Sequence, residues 1–271
     1  MKRLLIVGFG DIARRAAPAL AKQFLITRLS REYGLDLDRP QTLRVDEVDA
    51  VLHCAPPPAT GDRDTRTANL LCALKRLPAR VVYISTSGVY GDCHGQIVDE
   101  TRLVNPQTPR ARRRVDAERQ LQEYSTNVVI LRAPGIYAAD RLPLERLRAG
   151  TPVLRAEEDV YTNHIHADDL AAIAVRALEH DAPAGVYNVA DDSDMRMGDW
   201  MDLVARHAGL PPPPRRSREQ ISREVPEPLL SFMSESRRLD NRRMKQVLGA
   251  RLRYRTVHEG LANEQHAIGI D

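Results

Sequence analysis

Short apolar runs alternate along the chain with stretches whose apolar residues recur at helical spacing. The runs predict strands bounded by Gly, Pro or polar residues. These strands are Arg3–Val7, Phe24–Arg31 (with its exit), Asp49–Ala55, Arg80–Ser85, Asn127–Arg132 and Gly185–Ala190. The intervening stretches predict helices at Gly10–Lys22, Asp62–Leu77, Pro109–Tyr124, Pro143–Ala149 and from Asn163–Leu170 to about His180. This alternation predicts an α/β fold with a doubly wound, mostly parallel sheet and right-handed crossovers.

The pattern changes after Asp191. Met195–Ala208 predicts an amphipathic helix that holds the only tryptophan. Pro211–Pro214 predicts a stiff polyproline II spacer. Arg215–Glu224 is very polar, and a further helix is predicted to end near Leu248–Gly249.

The first strand runs directly into a glycine turn. Gly8 permits a tight turn, Gly10 lets a pyrophosphate approach the backbone, and Ala13 lets the next helix pack closely. The helix begins at Asp11 and Ile12, where free N–H groups and the positive end of the helix dipole favour phosphate. The strand–turn–helix context favours a dinucleotide site. The alternative is an ordinary turn with two convenient glycines.

The exit of the second strand is basic. In a dinucleotide fold, an acidic residue there favours NAD and an arginine accommodates the 2′-phosphate of NADP. This exit holds Arg28, Ser30 and Arg31, with Glu32 just behind. We therefore expect NADP rather than NAD, and the alternative is a solvated basic turn.

Polar residues follow two later strands. Three prolines stop Asp49–Ala55 and predict a rigid loop at its carboxyl end, where open α/β sheets bind ligands. The next strand ends in the hydroxyl cluster Ser85, Thr86 and Ser87, which suits a substrate oxygen or merely caps a polar turn. His53 is expected to pack within its strand.

Composition narrows the function. The chain has 271 residues, 42% of them hydrophobic, and a net charge of only +3, which argues against nucleic acid and an acidic membrane surface as partners. No apolar run is long enough to span a membrane or to form a signal peptide. The three cysteines, Cys54, Cys72 and Cys93, lack metal spacing and fit a reducing compartment. We expect a cytoplasmic protein without a metal.

Together these blocks resemble the short-chain dehydrogenase/reductase superfamily, in its extended or atypical branch of nucleotide-sugar epimerases, dehydratases and reductases. The glycine turn is of the shorter type found in atypical members. The other matching blocks are Asp36-Leu37, His53-Cys54-Ala55, Ser85–Gly91, Asp99-Glu100, Leu131-Arg132 through Ile136-Tyr137, His166–Ala171, Tyr187–Val189 and the C-terminal segment Arg237–Gly260.

The resemblance implies an NAD(P)-dependent oxidoreductase, epimerase or dehydratase. Its substrate would be nucleotide-sugar-like or another polar carbonyl or hydroxyl compound. A Rossmann domain would comprise residues 1–133 and 163–190, and a smaller α+β substrate lobe residues 134–162 and 191–271. A homodimer through helix 109–124 is also implied. Further cofactor contacts would be Asp36, Leu37, Cys54, Ala55, Ser85, Arg114 and Pro134.

The chain departs from the family in its chemistry. The family pairs a Ser or Thr with a Tyr and, four residues on, a Lys. Thr86 holds the Ser/Thr place, whereas Arg110 and Arg114 fall where Tyr and Lys belong. An arginine does not deprotonate in proteins, so Arg110 is not a general acid or base in the manner of the tyrosine, but it can bind an anion. Neighbouring Arg112 and Arg113 either share that role or form a solvated face.

Another group must then move the proton if the chain is an enzyme. The candidates are Tyr90, Tyr137, Tyr161, His164 and His166. We expect Thr86, Tyr137 and His164 to be catalytic, and Ser87, Tyr90 and Arg110 to bind substrate. Asp168 or Asp169 is expected to cap the following helix. The alternative function is a non-catalytic NAD(P)-binding sensor or regulator, which the lost Tyr/Lys pair favours.

Overall fold

A computed structural model describes residues 1–268, so the end of the predicted C-terminal lobe, residues 269–271, lies outside the described residues. The strands are β1 Lys2–Val7, β2 Phe24–Leu29, β3 Ala50–His53, β4 Arg80–Thr86, β5 Ile97–Val98, β6 Val128–Ala133, β7 Gly135–Tyr137, β8 Val153–Leu154, β9 Tyr161–Thr162, β10 His164–His166, β11 Gly185–Asn188, β12 Met195–Arg196, β13 Arg215–Arg216 and β14 Arg238–Leu239. The α-helices are α1 Asp11–Leu20, α2 Thr65–Ala73, α3 Pro109–Tyr124, α4 Leu144–Arg148, α5 Ala167–Ala177, α6 Met197–His207, α7 Arg218–Glu224, α8 Glu227–Met233, α9 Arg242–Gln246 and α10 Val257–Ile268.

Six strands form one parallel sheet in the order β2-β1-β3-β4-β6-β11. The chain moves outward from β1 to β2 and then crosses back to β3 on the other side of β1. The strand order therefore reverses between β1 and β3, which is where open α/β sheets bind ligands. The doubly wound α/β prediction is confirmed, and the glycine turn lies at the reversal.

Each face of the sheet buries its own core. Leu4 and Ile6 of β1 point towards α1 and α5, whereas Leu5 and Val7 point towards α2 and α3. Because β1 is covered on both faces, all four side chains are fully buried. A continuous apolar run, rather than an alternating one, is the expected sequence of such a strand.

The second lobe is built from short strand pairs: β7 with β10, β8 with β13, and β9 with β12. Its separate core lies around Trp200, Val204 and Leu147. Met244 and Leu248, by contrast, pack into the core beneath the large sheet. The proposed domain boundaries remain an interpretation, since C-terminal residues contribute to both cores.

Several elements differ from their predicted bounds for local reasons. The α2 helix begins after Asp64, whose carboxylate accepts the first free N–H groups, so it is shorter than Asp62–Leu77. The α6 helix begins at Met197 because the two preceding residues pair with β9. The polar stretch 215–224 holds β13 and α7, which a capping box between Ser217 and Gln220 begins.

The predicted cap of α5 is wrong. His166 caps this helix, and its Nδ1 accepts the N–H of Asp168 at 3.1 Å. Asp169 instead accepts the backbone N–H groups of Arg253 and Tyr254, which ties α5 to the C-terminal segment. Asp168 pairs with Arg15 of α1 at 2.7 Å.

The packing of His53 is as expected. The ring is fully buried in β3, and its Nε2 lies 3.0 Å from the hydroxyl of Thr67. Burial, with the nearby charge of Arg114, lowers its pKa to about 3. It therefore stays neutral and structural.

Two surface features bear on partners. Among residues 1–268, no helix combines the length and apolar character needed to cross a bilayer. The exposed positions of α3 include Arg112, Arg119 and Glu123. A homodimer through this helix therefore stays a prediction, and its interface would have to include these charged side chains.

Asp191 predicts an unusual dependence of stability on pH. It is only 4% exposed, and its Oδ2 has no partner among the described residues. Burial, reinforced by Asp192 and Asp169, raises its pKa from 3.8 to about 7 despite hydrogen bonding to Ser193. The unfolded chain thus releases this proton first, and stability falls as the pH rises from about 4 to 7.

Asp191→Asn should therefore raise the free energy of unfolding above wild type at pH 8, with the difference fading towards pH 4. Urea titrations from pH 4 to 8 measure it. Asp192→Asn is the control, since hydrogen bonds from Asn241 and Lys245 outweigh its partial burial and lower its pKa. That variant should lose stability at neutral pH. Equal pH profiles for Asp191→Asn and wild type would contradict the assignment.

Candidate active site

The turn after β1 allows only glycine at residue 8. Gly8 has φ of +81°, and a Cβ there would lie 2.6 Å from the backbone nitrogen of Ala55. The chain therefore passes tightly over the end of β3. Gly10 begins α1 without any side-chain cap, and a Cβ built on it meets nothing within 4 Å. The first N–H groups of α1 thus face open space.

A cavity of about 190 Å³ lies in front of this helix end. Its lining includes these predicted cofactor residues: Gly10, Asp11, Ile12, Cys54, Ser85, Arg114 and Pro134. An uncapped helix end beside a glycine with free space above it suits a pyrophosphate. These residues fit a dinucleotide.

Other predicted cofactor residues do not line this cavity. Gly8 and Ala55 support it from behind through their close contact. Leu37 is buried in the core beside α2, and its carbonyl accepts the amide of Asn69. Its side chain is therefore not free to contact adenine, contrary to the prediction. Asp36 forms a local turn in which its carboxylate accepts the N–H of Asp38.

The predicted 2′-phosphate residues lie at the open end of β2, outside the cavity. Arg28 stacks on Phe9, 4.4 Å from the ring centroid, and donates to the hydroxyl of Tyr33. The buried hydroxyl of Ser30 has no partner among the described residues. Arg31 is exposed. This end of the strand therefore offers one fixed guanidinium, one exposed guanidinium and one unsatisfied hydroxyl.

A larger cleft of about 740 Å³ adjoins the cavity. The two share Thr86, Arg110, Pro134, Ile136 and Arg141. Thr86 ends β4, and its Oγ1 accepts the N–H of Gly88 at 3.2 Å. The hydroxyl proton is therefore left to donate to a ligand, and the predicted contact of Thr86 with substrate stays a prediction. Ser87 also lines the cleft.

The start of α3 places the arginines. Thr108 caps the helix by accepting the N–H of Ala111 at 3.1 Å. Arg114 donates from one nitrogen to both the hydroxyl of Tyr83 and the carbonyl of Ile84, so it is fixed against β4. Arg110, one turn earlier, lies at the junction of cavity and cleft. Packing around its guanidinium, with the charges of Arg114 and Arg113, lowers the pKa of Arg110.

Tyr137 and His164 do not line the cleft. Tyr137 is 2% exposed and its hydroxyl donates to the carbonyl of Thr256. The His164 ring is buried against Trp200, with centroids 4.4 Å apart, and burial lowers its pKa to about 3. Both belong to the core of the second lobe, so their predicted catalytic role finds no support in their position.

Tyr90 likewise does not line the cleft. It is buried and donates to Asn188 at 2.8 Å, while the guanidinium of Arg132 stacks on its ring. The Ser85 hydroxyl donates to Glu118, and Glu118 pairs with Arg132 at 2.7 Å. These side chains form a buried network beside the site. The substrate-binding role predicted for Tyr90 is not compatible with this position.

The structure adds Arg141 and Phe232, which the motifs did not single out, and it keeps Tyr161 among the predicted candidates for proton transfer. Arg141 lines both cavities and pairs with Asp11 at 2.9 Å. Tyr161 is the tyrosine among the described lining residues of the cleft, and the guanidiniums of Arg196 and Arg238 lie over its ring, each 4.9 Å from the centroid. Phe232 of α8 lies on the opposite wall, over Arg110. No local motif marks these positions; only the second lobe's packing brings them here.

Comparison with known proteins identifies the family. The profile of the NAD dependent epimerase/dehydratase family matches residues 21–190. The chain belongs to this family. The predicted resemblance to the extended or atypical branch of the short-chain dehydrogenases is thereby confirmed.

Solved structures support the fold. A conserved protein of unknown function from Silicibacter pomeroyi is 29% identical, with a TM-score of 0.79 over 98% of this chain and 99% of its own. A UDP-glucuronic acid 4-epimerase from Bacillus cereus, in complex with NAD, is 18% identical, with a TM-score of 0.71 over 96% of each chain.

Protein YeeZ of Escherichia coli K12 is 31% identical over 143 residues, which are 52% of this chain. The match spans about half the length of YeeZ. The match therefore shows sequence similarity over about half of each chain, and it assigns no activity to this chain.

Substitutions of the two glycines of the turn should distinguish an effect on folding from an effect on dinucleotide binding. Gly10→Ala should fold with a loss of at most about 1 kcal/mol, since its Cβ has free space. The added methyl group should nevertheless obstruct a pyrophosphate and abolish the rise in melting temperature on adding NAD or NADP. Gly8→Ala should instead destabilise the fold, because of both φ and the contact with Ala55. Unchanged dinucleotide binding by Gly10→Ala would contradict this site.

Proposed function

We propose that this chain is an NAD(P)-dependent enzyme of the epimerase, dehydratase or reductase type. Its substrate is a polar carbonyl or hydroxyl compound resembling a nucleotide sugar. The observation that carries the proposal is the junction at Thr86, where a cavity suited to a dinucleotide opens into a cleft large enough for such a substrate. The UDP-glucuronic acid 4-epimerase from B. cereus, which has the same fold, binds NAD.

The bound nicotinamide would supply hydride transfer. The chain itself binds and orients. The helix end at Gly10 holds phosphate, and the hydroxyl of Thr86 donates a hydrogen bond to a substrate oxygen. Arg110 and Arg114 remain protonated at any physiological pH and therefore hold charge rather than move a proton.

Tyr161 is the group we assign to proton transfer. It lines the cleft, and its hydroxyl forms no hydrogen bond within the described part of the chain. Two guanidiniums lie over its ring. Tyr137 is the matched contrast, since its hydroxyl is buried and bonded to Thr256.

The bound dinucleotide is proposed to be NADP. Ser30 offers an unsatisfied hydroxyl and Arg31 an exposed guanidinium at the end of β2. Both are groups that a 2′-phosphate can use. Glu32, which would compete for a ribose hydroxyl, is paired with Arg14 at 2.8 Å.

A second function is favoured by one observation. Arginines stand at both positions of the Tyr/Lys pair, and Arg114 is bound to β4. A non-catalytic NAD(P)-binding sensor or regulator would need the cavity but not the pair. Dinucleotide binding without turnover would favour it.

Arg31→Glu should weaken NADP binding by about tenfold or more and leave NAD binding nearly unchanged, because it removes one charge-assisted contact to the 2′-phosphate. Isothermal titration or thermal shift measures both. Lys22→Glu is the control: it makes the same charge change at the opposite end of β2. Equal loss in both variants would argue against recognition by Arg31. No response of the wild type to any dinucleotide would refute both functions.

Tyr161→Phe should lower kcat by about a hundredfold or more with little change in dinucleotide binding, since it removes only the phenol. Tyr137→Phe should keep kcat near wild type. Turnover is followed by nicotinamide absorbance, or by product analysis of nucleotide sugars, in a substrate panel. A panel without turnover by the wild type, despite dinucleotide binding, would favour the sensor. Full activity of Tyr161→Phe would remove the proposed role.

A further inference from the structure

The first turns of α3 carry three guanidiniums without a carboxylate partner. Arg110, Arg113 and Arg114 have no Asp or Glu oxygen within 4.0 Å in the part of the chain that the structure describes. Two other enclosed arginines are paired with carboxylates: Arg132 with Glu118, and Arg237 with Glu235. Arg80, which is also 7% exposed, donates instead to the carbonyls of His180 and Ala182. The three charges therefore repel one another at the junction of cavity and cleft.

Arg113 shows that this arrangement is built rather than a solvated face. It is 7% exposed, lines the cleft, and donates to the carbonyl of Gly61. Its Nε has no hydrogen-bond partner among the described residues. A buried guanidinium with neither a counter-ion nor a full set of acceptors is costly. Arg80 shares these features but lines neither the cavity nor the cleft, whereas Arg113 lines the cleft, where a ligand can complete its hydrogen bonds.

Arg110 adds a second, accessible guanidinium at the same place. It forms no hydrogen bond or ion pair with the described residues, and its side chain lies over Phe232 on the facing wall. It also borders the dinucleotide cavity. Beside both arginines, the capped start of α3 contributes the positive end of a sixteen-residue helix.

Arg112 shows what an ordinary surface arginine looks like on this helix. It points away from the cleft, is exposed, and pairs with Asp62 at 3.1 Å. The arginines of the run 110–114 therefore differ in their surroundings. Arg112 faces solvent, whereas Arg110, Arg113 and Arg114 line the cavity or the cleft.

We propose that Arg110 and Arg113 form a subsite for an oxyanion, a carboxylate or phosphate, carried by the substrate close to its reacting end. The location follows from Arg110 and Thr86, which both border the dinucleotide cavity and the cleft. The substrate is thus an acid, such as a sugar acid or hydroxy acid in free or nucleotide-linked form. This substrate class rests on the proposed function, whereas the anion subsite itself is testable without a cofactor.

The first experiment uses inorganic phosphate and no dinucleotide. Titration should raise the melting temperature of the wild type and of Arg112→Gln alike. Arg110→Gln should lose about half of that rise or more. Any phosphate bound at the α1 helix end is common to all three proteins, so the difference reports the subsite. Equal shifts in Arg110→Gln and Arg112→Gln would overturn the proposal whether or not the dinucleotide proposal holds.

The second experiment compares a matched ligand pair. UDP-glucuronate and UDP-glucose differ by a carboxylate in place of a hydroxymethyl group. In the presence of saturating NAD or NADP, the wild type should prefer the acid by about tenfold, as expected for one charge-assisted contact. The preference should persist in Arg112→Gln, fall to within about twofold in Arg110→Gln, and return partly in Arg110→Lys.

Glucose 6-phosphate against glucose distinguishes a phosphate from a carboxylate as the preferred anion. Arg113→Gln is included, and Arg110→Gln keeps the test decisive should the buried variant fail to fold. A wild type that binds the neutral and the acidic members of both pairs equally would refute the acid substrate while leaving the dinucleotide assignment standing.

Discussion

The position of α3 depends on the buried ion pair between Glu118 and Arg132. Glu118 projects from the helix onto the sheet, where it meets Arg132 of β6 and the hydroxyl of Ser85 on β4. Removing one partner of such a pair costs roughly 3–5 kcal/mol, because the other charge is left buried. The pair therefore fixes the helix against two strands. The arginines that α3 presents to the site lie one and two turns before Glu118, so this ion pair also sets their position.

The same network extends beneath the site. The Arg132 guanidinium covers the ring of Tyr90, Tyr90 bonds to Asn188, and the backbone of Asn188 donates to Glu100. These buried polar side chains resemble catalytic residues, but their role is to hold the site in place. The reacting surface is left to side chains at the ends of strands and at the start of one helix.

Much of the large sheet could be predicted because its evidence is local. The apolar run before Gly8 and the turn residues after it report burial and backbone conformation directly, and the packing of His53 follows from its place within a strand. The positions of Tyr137 and His164 could not be predicted because both lie in short strands, β7 and β10, whose side chains pack against residues far along the chain. Trp200, which buries His164, is more than thirty residues away.

The helix cap shows the same limit at short range. Asp168 and Asp169 have the preferred composition for a cap, but tertiary partners claim both carboxylates, and His166 takes the role. The location of Tyr161 and Phe232 depends on how the second lobe folds over the first. No period or motif within the chain encodes that contact.

Arg15 and Arg141 join the two lobes beside the dinucleotide cavity. Arg15 of α1 reaches Asp140 of the second lobe, and Arg141 reaches back to Asp11. The two ion pairs run in opposite directions between the same two segments and are partly exposed, so dissolved salt screens them. Ion pairs thus join the two lobes beside the dinucleotide cavity, and a rise in the ionic strength of the solution weakens this connection.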